Sequence, residues 1–354
     1  MRRDTFVSAL LVSMAAAASA LVQVGCQSYE LDPVDPKAVG AKTETHKIDG
    51  SLLAPYVMLV VDRSGSMKDF TTAGSTKWKD LVANFTASNC FLVRYGSSID
   101  FGLILFADGD SCNPGSVVAT VGTPVDQIVQ MINAASPGGS TPTAESLKAV
   151  VNDSRMSTPV AGRSRFVMLL TDGSPNCNSS LSTSTCVFAD PDCTGRAACC
   201  LDDQATIAQV AALKAQDIST FVIGFGRDTA DPTKPTYQTL DAAAVAGGKP
   251  RAQEPLFFQV NNSDELAKAL GDIGGQLGTC NYVLNPAPAS ASLLQVVFKY
   301  TKDDNSTEVP LTPSTDYTYS PATSTLSIVG TRCQEIQSAP AELSGVEFRY
   351  VTPL

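Results

Sequence analysis

Three separate loops of this 354-residue chain carry oxygen-bearing side chains of the kind that bind hard metal ions. Asp62, Ser64 and Ser66 alternate along one loop, Thr141 lies in a second, and Asp172 lies in a third. Hydroxyl and carboxylate oxygens are the ligands that Mg²⁺ prefers, and Mn²⁺ and Ca²⁺ also accept them. If the fold brings the three loops together, these residues predict one divalent-metal site.

The segments before these loops have the character of buried strands. Residues 56–61 and 166–170 are apolar runs without alternation, which is typical of parallel strands covered on both faces, and they lead towards Asp62 and Asp172. Similar runs occupy residues 99–106, 221–225 and 256–260, with an edge strand at 116–121 and helices at roughly 77–93, 125–135, 143–152, 203–216, 236–246 and 263–278. This alternation predicts an α/β fold with a doubly wound, mostly parallel sheet. Ligands bind such folds beyond the carboxyl ends of the strands, where the loops lie.

The pattern of these loops resembles that of the von Willebrand factor A (VWA) family over about residues 51–279. Residues 62–66 read D-x-S-x-S, Thr141 stands in a G-G-x-T-x-T loop, and Asp172 stands in a T-D-G sequence. The resemblance implies a Rossmann-like VWA fold with a metal-ion-dependent adhesion site for Mg²⁺, or for Mn²⁺ or Ca²⁺. It further implies that the three hydroxyls bind the ion directly, that the two aspartates act through water, and that a partner's Asp or Glu carboxylate completes the coordination.

Composition and the remaining motifs argue against catalysis and against nucleic-acid binding. The chain has one histidine, His46, which we expect to be an exposed linker residue, so histidine-based catalytic triads and His-ligated zinc are disfavoured. The loop at 138–143 lacks the lysine of a phosphate-binding loop, and no G-x-S-x-G turn is present. A net charge of −10 repels nucleic acid. We therefore expect a protein that is not an enzyme.

The first 25 residues have the features of a secretory signal peptide, because two arginines precede an apolar run over residues 6–24. Two processing sites compete: an A-x-A sequence at 18–20, and a lipobox-like sequence in which Cys26 is lipidated. We favour lipidation of Cys26 and expect residues 26–50 to form a polar tether. This predicts a lipoprotein that is exported across the inner membrane. We expect its lipid anchor to lie in the outer membrane and to be its only contact with a membrane.

The ten cysteines predict disulfide bonds, because an exported protein meets an oxidising compartment. Five of them lie in an insertion at about 174–203 that is too poor in apolar residues to pack a core: Cys177, Cys186, Cys193, Cys199 and Cys200. With Cys112 they make six, enough for three bridges of open connectivity, and a cysteine-rich zinc site is the alternative. We expect Cys280 to pair with Cys333, and Cys90 to be a mostly buried thiol outside the bridges.

The pattern changes after Cys280 to short alternating strands at 294–300, 317–319, 326–328 and 346–351. Residues 280–354 are therefore expected to form a small β-sandwich-like module. For the whole chain we expect metal-dependent adhesion or protein–protein interaction at the bacterial cell envelope. The alternative is an envelope assembly or scaffold subunit that docks on one dedicated partner.

Overall fold

The computed structural model describes residues 43–88, 90–108, 112–189, 195–278, 280–302, 305–338 and 343–353. Its strands are β1 (Thr43–Leu52), β2 (Tyr56–Asp62), β3 (Asp100–Phe106), β4 (Ser116–Ala119), β5 (Arg165–Thr171), β6 (Ile218–Phe225), β7 (Phe258–Val260), β8 (Asn281–Asn285), β9 (Leu294–Lys302), β10 (Asn305–Pro310), β11 (Tyr317–Ser320), β12 (Thr325–Ile328) and β13 (Leu343–Pro353). Its α-helices are α1 (Lys77–Thr86), α2 (Phe91–Tyr95), α3 (Val125–Ala134), α4 (Thr143–Lys148), α5 (Ser154–Ser157), α6 (Asp203–Lys214), α7 (Pro235–Ala246), α8 (Ser263–Leu277) and α9 (Gly330–Ser338).

The central sheet has the strand order β4-β3-β2-β5-β6-β7, and only its edge strand β4 runs antiparallel to its neighbour. Its strands are apolar without alternation because both faces are covered. Val57, Leu59 and Val61 of β2 enter one core with α1, α2, α3 and α8, whereas Met58 and Val60 enter a second core with α4 to α7. The expected α/β fold with a mostly parallel sheet is confirmed.

The second sheet is antiparallel, with the strand order β10-β9-β13-β1-β8-β12-β11. β1 changes partners along its length: residues 43–48 pair with β13, and residues 49–52 pair with β8. A third core lies within this sheet and includes Phe298, Tyr317 and Phe348, with α9 packed against it. The C-terminal part of the chain thus forms the β-rich module that its short strands predict.

This second sheet corrects the expected limits of tether and module. From the sequence we expect a tether over residues 26–50, but Thr43–Leu52 is the strand β1, and His46 is exposed within that strand rather than in a linker. Only Ile48 is buried among the described side chains of β1, so its polar sequence does not predict a strand. Its partners lie at the other end of the chain. The domain of the central sheet is therefore inserted between β1 and β8.

The disulfide bonds fix the cysteine-rich insertion to the central sheet. Cys112, on the loop after β3, pairs with Cys177, and Cys186 pairs with Cys200. Cys199 is also disulfide-bonded, while Cys193 and Cys26 lie outside the described residues. For these bonded cysteines, the predicted disulfide bonds are confirmed in place of the alternative, a zinc site.

Cys280, Cys333 and Cys90 lie outside the insertion. Cys280 pairs with Cys333, as expected, and the bridge joins the end of the inserted domain to α9. Cys90 takes part in none of the three bridges named here, and it is half-buried rather than mostly buried.

Cys90 precedes α2, because the expected helix over residues 77–93 is broken in two. Thr86, the last residue of α1, donates its hydroxyl to Val82 O at 2.8 Å, and such side chains compete for backbone hydrogen bonds at helix ends. No helix in the described ranges is both long and apolar enough to cross a bilayer.

Candidate metal centre

Asp62 and Asp172 lie side by side because they end neighbouring parallel strands. Asp62 is the last residue of β2, and Asp172 directly follows β5. Both carboxylates are fully buried at the carboxyl end of the sheet. The hydroxyl of Thr171 donates to Asp62 Oδ2 at 2.6 Å, so the residue before one aspartate holds the other in place.

The serine loop folds over this pair of strand ends. The backbone N–H of Ser64 donates to Asp62 Oδ1 at 2.7 Å, which turns the chain immediately after β2. The hydroxyl oxygens of Ser64 and Ser66 lie 3.1 Å apart, and Ser66 Oγ donates to Asp172 Oδ1 at 2.8 Å. Four of the five predicted residues are therefore joined by direct hydrogen bonds.

Thr141 reaches the same place through its loop. The N–H of Gly65 donates to the carbonyl of Gly139 at 2.9 Å, which fixes the threonine loop against the serine loop. Gly139 has a φ of +81°, a conformation that favours glycine at this close approach. The N–H of Thr141 donates to Asn176 Oδ1 at 2.8 Å, and Thr141 is buried. The structure thus assembles all three loops at one end of the sheet.

Burial dominates the electrostatics of the two aspartates. Burial and the neighbouring Asp172 carboxylate raise the pKa of Asp62 to about 7, against hydrogen bonds from Thr171 and Ser64 that lower it. Burial also raises the pKa of Asp172, and the Lys77 ammonium opposes that rise. Lys77 Nζ lies 2.7 Å from Asp172 Oδ2. Of the two adjacent carboxylates, which resist being charged together, Asp172 is the one that contacts the ammonium.

This donor set fits a hard divalent cation. Hydroxyl oxygens converge on two buried carboxylates, and one ammonium leaves one negative charge for a cation to offset. Where the structure describes the chain, no group of three or more His, Cys, Asp or Glu side chains is placed to hold a metal. A site built mainly from hydroxyls does not need such a group, and its hard oxygens suit Mg²⁺ rather than softer ions.

The sequence profile of the von Willebrand factor type A domain matches residues 57–272, more than half of the chain. The chain belongs to the VWA family. The match begins in β2 and ends in α8, so it covers the central sheet and leaves the second sheet outside the VWA domain. No curated protein is significantly similar to the chain.

Several solved structures resemble the chain at low sequence identity. The pilus adhesin SpaC from Lactobacillus rhamnosus GG is 14% identical with a TM-score of 0.44, and the match covers 84% of this chain and 39% of SpaC. Proximal thread matrix protein 1 from the mussel byssus is 16% identical with a TM-score of 0.42, covering 66% of this chain and 51% of that protein. The vWF domain of the type V pili tip protein Mfa5 from Porphyromonas gingivalis is 14% identical with a TM-score of 0.44, and the match covers 64% of this chain and 96% of that domain. This chain thus spans less than half of SpaC and about half of the mussel protein.

Sequence reasoning missed three residues that hold the site of this VWA domain together. Thr171 and Asn176 lie close in sequence to Asp172. The hydroxyl of Thr171 and the side-chain amide of Asn176 could therefore have been predicted, from their position in or near the T-D-G motif, to hold the site together. Lys77 gave no such signal, because no spacing rule connects the first turn of α1 with the end of β5. Only the packing of α1 against the sheet brings its ammonium to Asp172.

Proposed function

We propose that the VWA domain binds one divalent ion, with Mg²⁺ as the first candidate, and through it a carboxylate of a partner protein. Ser64, Ser66 and Thr141 would hold the ion through their hydroxyls, and Asp62 and Asp172 through water. The bound ion supplies a Lewis-acidic position for an Asp or Glu side chain of the partner. The observation that carries the proposal is the convergence of hydroxyls on two fully buried carboxylates.

Two segments connected to the site carry exposed apolar side chains suited to contact a protein partner. Phe70 is 76% exposed on the loop between the serine loop and α1, and Val187 is 59% exposed on the cysteine-rich insertion. Both are held on ordered backbone: the N–H of Thr71 donates to Ser75 O at 2.7 Å, and the N–H of Leu201 donates to Val187 O at 2.7 Å. Aromatic side chains on a fixed backbone are suited to anchor a protein interface, since little conformational entropy is lost on binding.

The proposal assigns the chain a binding role at the bacterial envelope and no catalysis. Export and lipidation at Cys26 would place the VWA domain outside the cytoplasm, tethered to the outer membrane. The Cys112–Cys177 and Cys186–Cys200 disulfide bonds support export, because such bonds persist in oxidising compartments.

Calorimetric titration with Mg²⁺ or Mn²⁺ tests the metal site. We expect one ion per chain, with binding lost in Asp62→Ala and in Asp172→Ala. Asp126→Ala is the matched control, since it removes an exposed carboxylate of α3 and should leave the affinity unchanged. Binding that survives both site substitutions would refute the proposed site.

Capture of partners from envelope extract, with Mg²⁺ or with EDTA, tests the use of the site. Chelator-sensitive capture that Phe70→Ala weakens and Val245→Ala does not would support binding through the metal face, because Val245 is exposed on α7. A single partner held in constant stoichiometry would favour the alternative of an envelope assembly subunit.

A further inference from the structure

A lysine ammonium lies inside the candidate metal site, although Lys77 is outside the three sequence motifs that predict that site. Lys77 is the first residue of α1 and is 5% exposed. Its Nζ donates to Asp172 Oδ2 at 2.7 Å and lies 3.7 Å from Asp69 Oδ2. The other oxygen of Asp172 accepts from Ser66 at 2.8 Å. A single carboxylate is therefore shared between the serine loop and the lysine.

The surrounding backbone makes room for this side chain. Gly226, directly after β6, has a φ of +104°, and a Cβ at that position would lie 2.7 Å from Lys77 Cε. The N–H of Gly226 donates to Val260 O at 2.7 Å, which fixes the glycine against the next strand. The helix itself does not favour the arrangement, because a cation in the first turn opposes the helix dipole. The contacts with Asp172 and Asp69 are what hold the ammonium there.

Charge balance gives this lysine a function. Two carboxylates without a cation would carry two negative charges, and a divalent ion would neutralise the site. With Lys77 in place, the three buried charged groups, Asp62, Asp172 and Lys77, carry one net negative charge, so a bound divalent ion leaves one positive charge in excess among them. The carboxylate of Asp69 is 65% exposed, so water largely screens its charge. In a buried site this excess weakens ion binding and attracts an incoming carboxylate.

We propose that Lys77 is a fixed counter-charge of Asp172 that lowers the affinity of the site for its divalent ion and keeps positive charge available for the partner's carboxylate. This inference rests on the proposed metal site. It differs from a purely structural role, in which Lys77 would orient Asp172 and strengthen ion binding. The two roles predict opposite effects when the lysine is replaced.

Titration with Mn²⁺ alone distinguishes them. Lys77→Met keeps the unbranched apolar stem without charge or donor, and Lys77→Gln keeps a donor that is one bond closer to the backbone. We expect both to lower the Kd for Mn²⁺ about tenfold or more, because a like charge next to the ion is removed. Lys79→Met is the matched control: it removes an exposed lysine from the same turn of α1 and should leave the Kd within about twofold.

The metal-free protein provides a second readout. Without Mn²⁺, both Lys77 variants should have a lower Tm than the unaltered chain, because Asp172 loses its buried partner, and saturating Mn²⁺ should restore it. If a variant unfolds without metal, the rise of its Tm with Mn²⁺ concentration gives the Kd instead. A Kd that is unchanged or raised in Lys77→Met overturns the inference and leaves the metal site standing. Failure of the unaltered chain to bind Mn²⁺ overturns both.

Discussion

Asp62 lies buried beside a second carboxylate, and this placement makes the metal-free protein sensitive to pH. The pKa of Asp62 rises from an ordinary value of 3.8 to about 7 on folding. Between these values the folded state keeps a proton that the unfolded state has lost. Stability therefore falls as pH rises through this window and changes no further above it.

Urea unfolding in EDTA at several pH values measures this effect. We expect the free energy of unfolding to decrease from about pH 5 to about pH 7.5, and Asp62→Asn to remove most of that decrease because an amide does not titrate. Asp172 interacts with Asp62, whereas groups outside the site titrate equally in both proteins, so the difference between the two curves isolates this pair of aspartates. Parallel curves would show that Asp62 is not the group that titrates.

The residues of the site differ in whether the sequence alone predicts them. Asp62, Ser64, Ser66, Thr141 and Asp172 were predicted because each stands at the end of a strand or in a loop of recognisable composition. Their role as metal ligands stays a prediction, although the structure brings their loops together. Lys77 could not be predicted, since a lysine in the first turn of a helix is ordinarily a solvated residue.

Among the elements, α8 shows why glycines inside a helix need a structure to be interpreted. Its second half contains Gly271, Gly274 and Gly275, a composition typical of a weak helix end, yet the helix is continuous to Leu277. A Cβ at Gly274 would fall on the ring of Tyr95 in α2, whereas a Cβ at Gly271 would meet nothing within 4 Å. Gly274 is therefore a packing residue, and Gly271 is not.

Alanine at these two positions should shift stability in opposite directions. Gly271→Ala should stabilise the protein by roughly 0.5–1 kcal/mol, because alanine favours the helix and space is open. Gly274→Ala should destabilise it by about 1–3 kcal/mol, because the added methyl group forces α8 away from Tyr95. Chemical denaturation of the two variants measures both effects. Equal stabilisation by both would mean that α8 does not pack closely on α2.

The elements that the sequence predicts are those whose burial is evident from the apolar residues of a single segment. β2, β3, β5 and β6 are apolar throughout because two layers of helices cover them, and no other structure suits such short runs between loops. β1 and α9 are largely polar and owe their structure to distant partners, and β10 is a largely polar edge strand that pairs with the neighbouring β9. Their sequences carry no periodicity strong enough to reveal them.

At the scale of the molecule, the VWA domain is an insertion in the second sheet. The chain enters it after β1 and leaves it before β8, where the N–H of Leu53 donates to Asn281 O at 2.8 Å. Asn281 Nδ2 also donates to Gly162 O at 2.7 Å, just before β5 begins. The second sheet therefore lies at the amino ends of the parallel strands, and the metal site lies at their carboxyl ends. This arrangement separates the module from the surface proposed to bind the partner.

An insertion makes the C-terminal module depend on a strand that precedes the VWA domain. Ile48 of β1 is 2% exposed in the core of the second sheet, so Ile48→Ala should destabilise that module by about 2–4 kcal/mol. Leu52→Ala is the control, because Leu52 lies in the same strand and is 38% exposed. Hydrogen exchange read by mass spectrometry should show faster exchange in β8 and β13 for Ile48→Ala alone, with β2 and β5 still protected. Unchanged protection in β8 and β13 would mean that residues 43–52 act as a tether, as their polar sequence suggests, and that residues 280–353 fold without them.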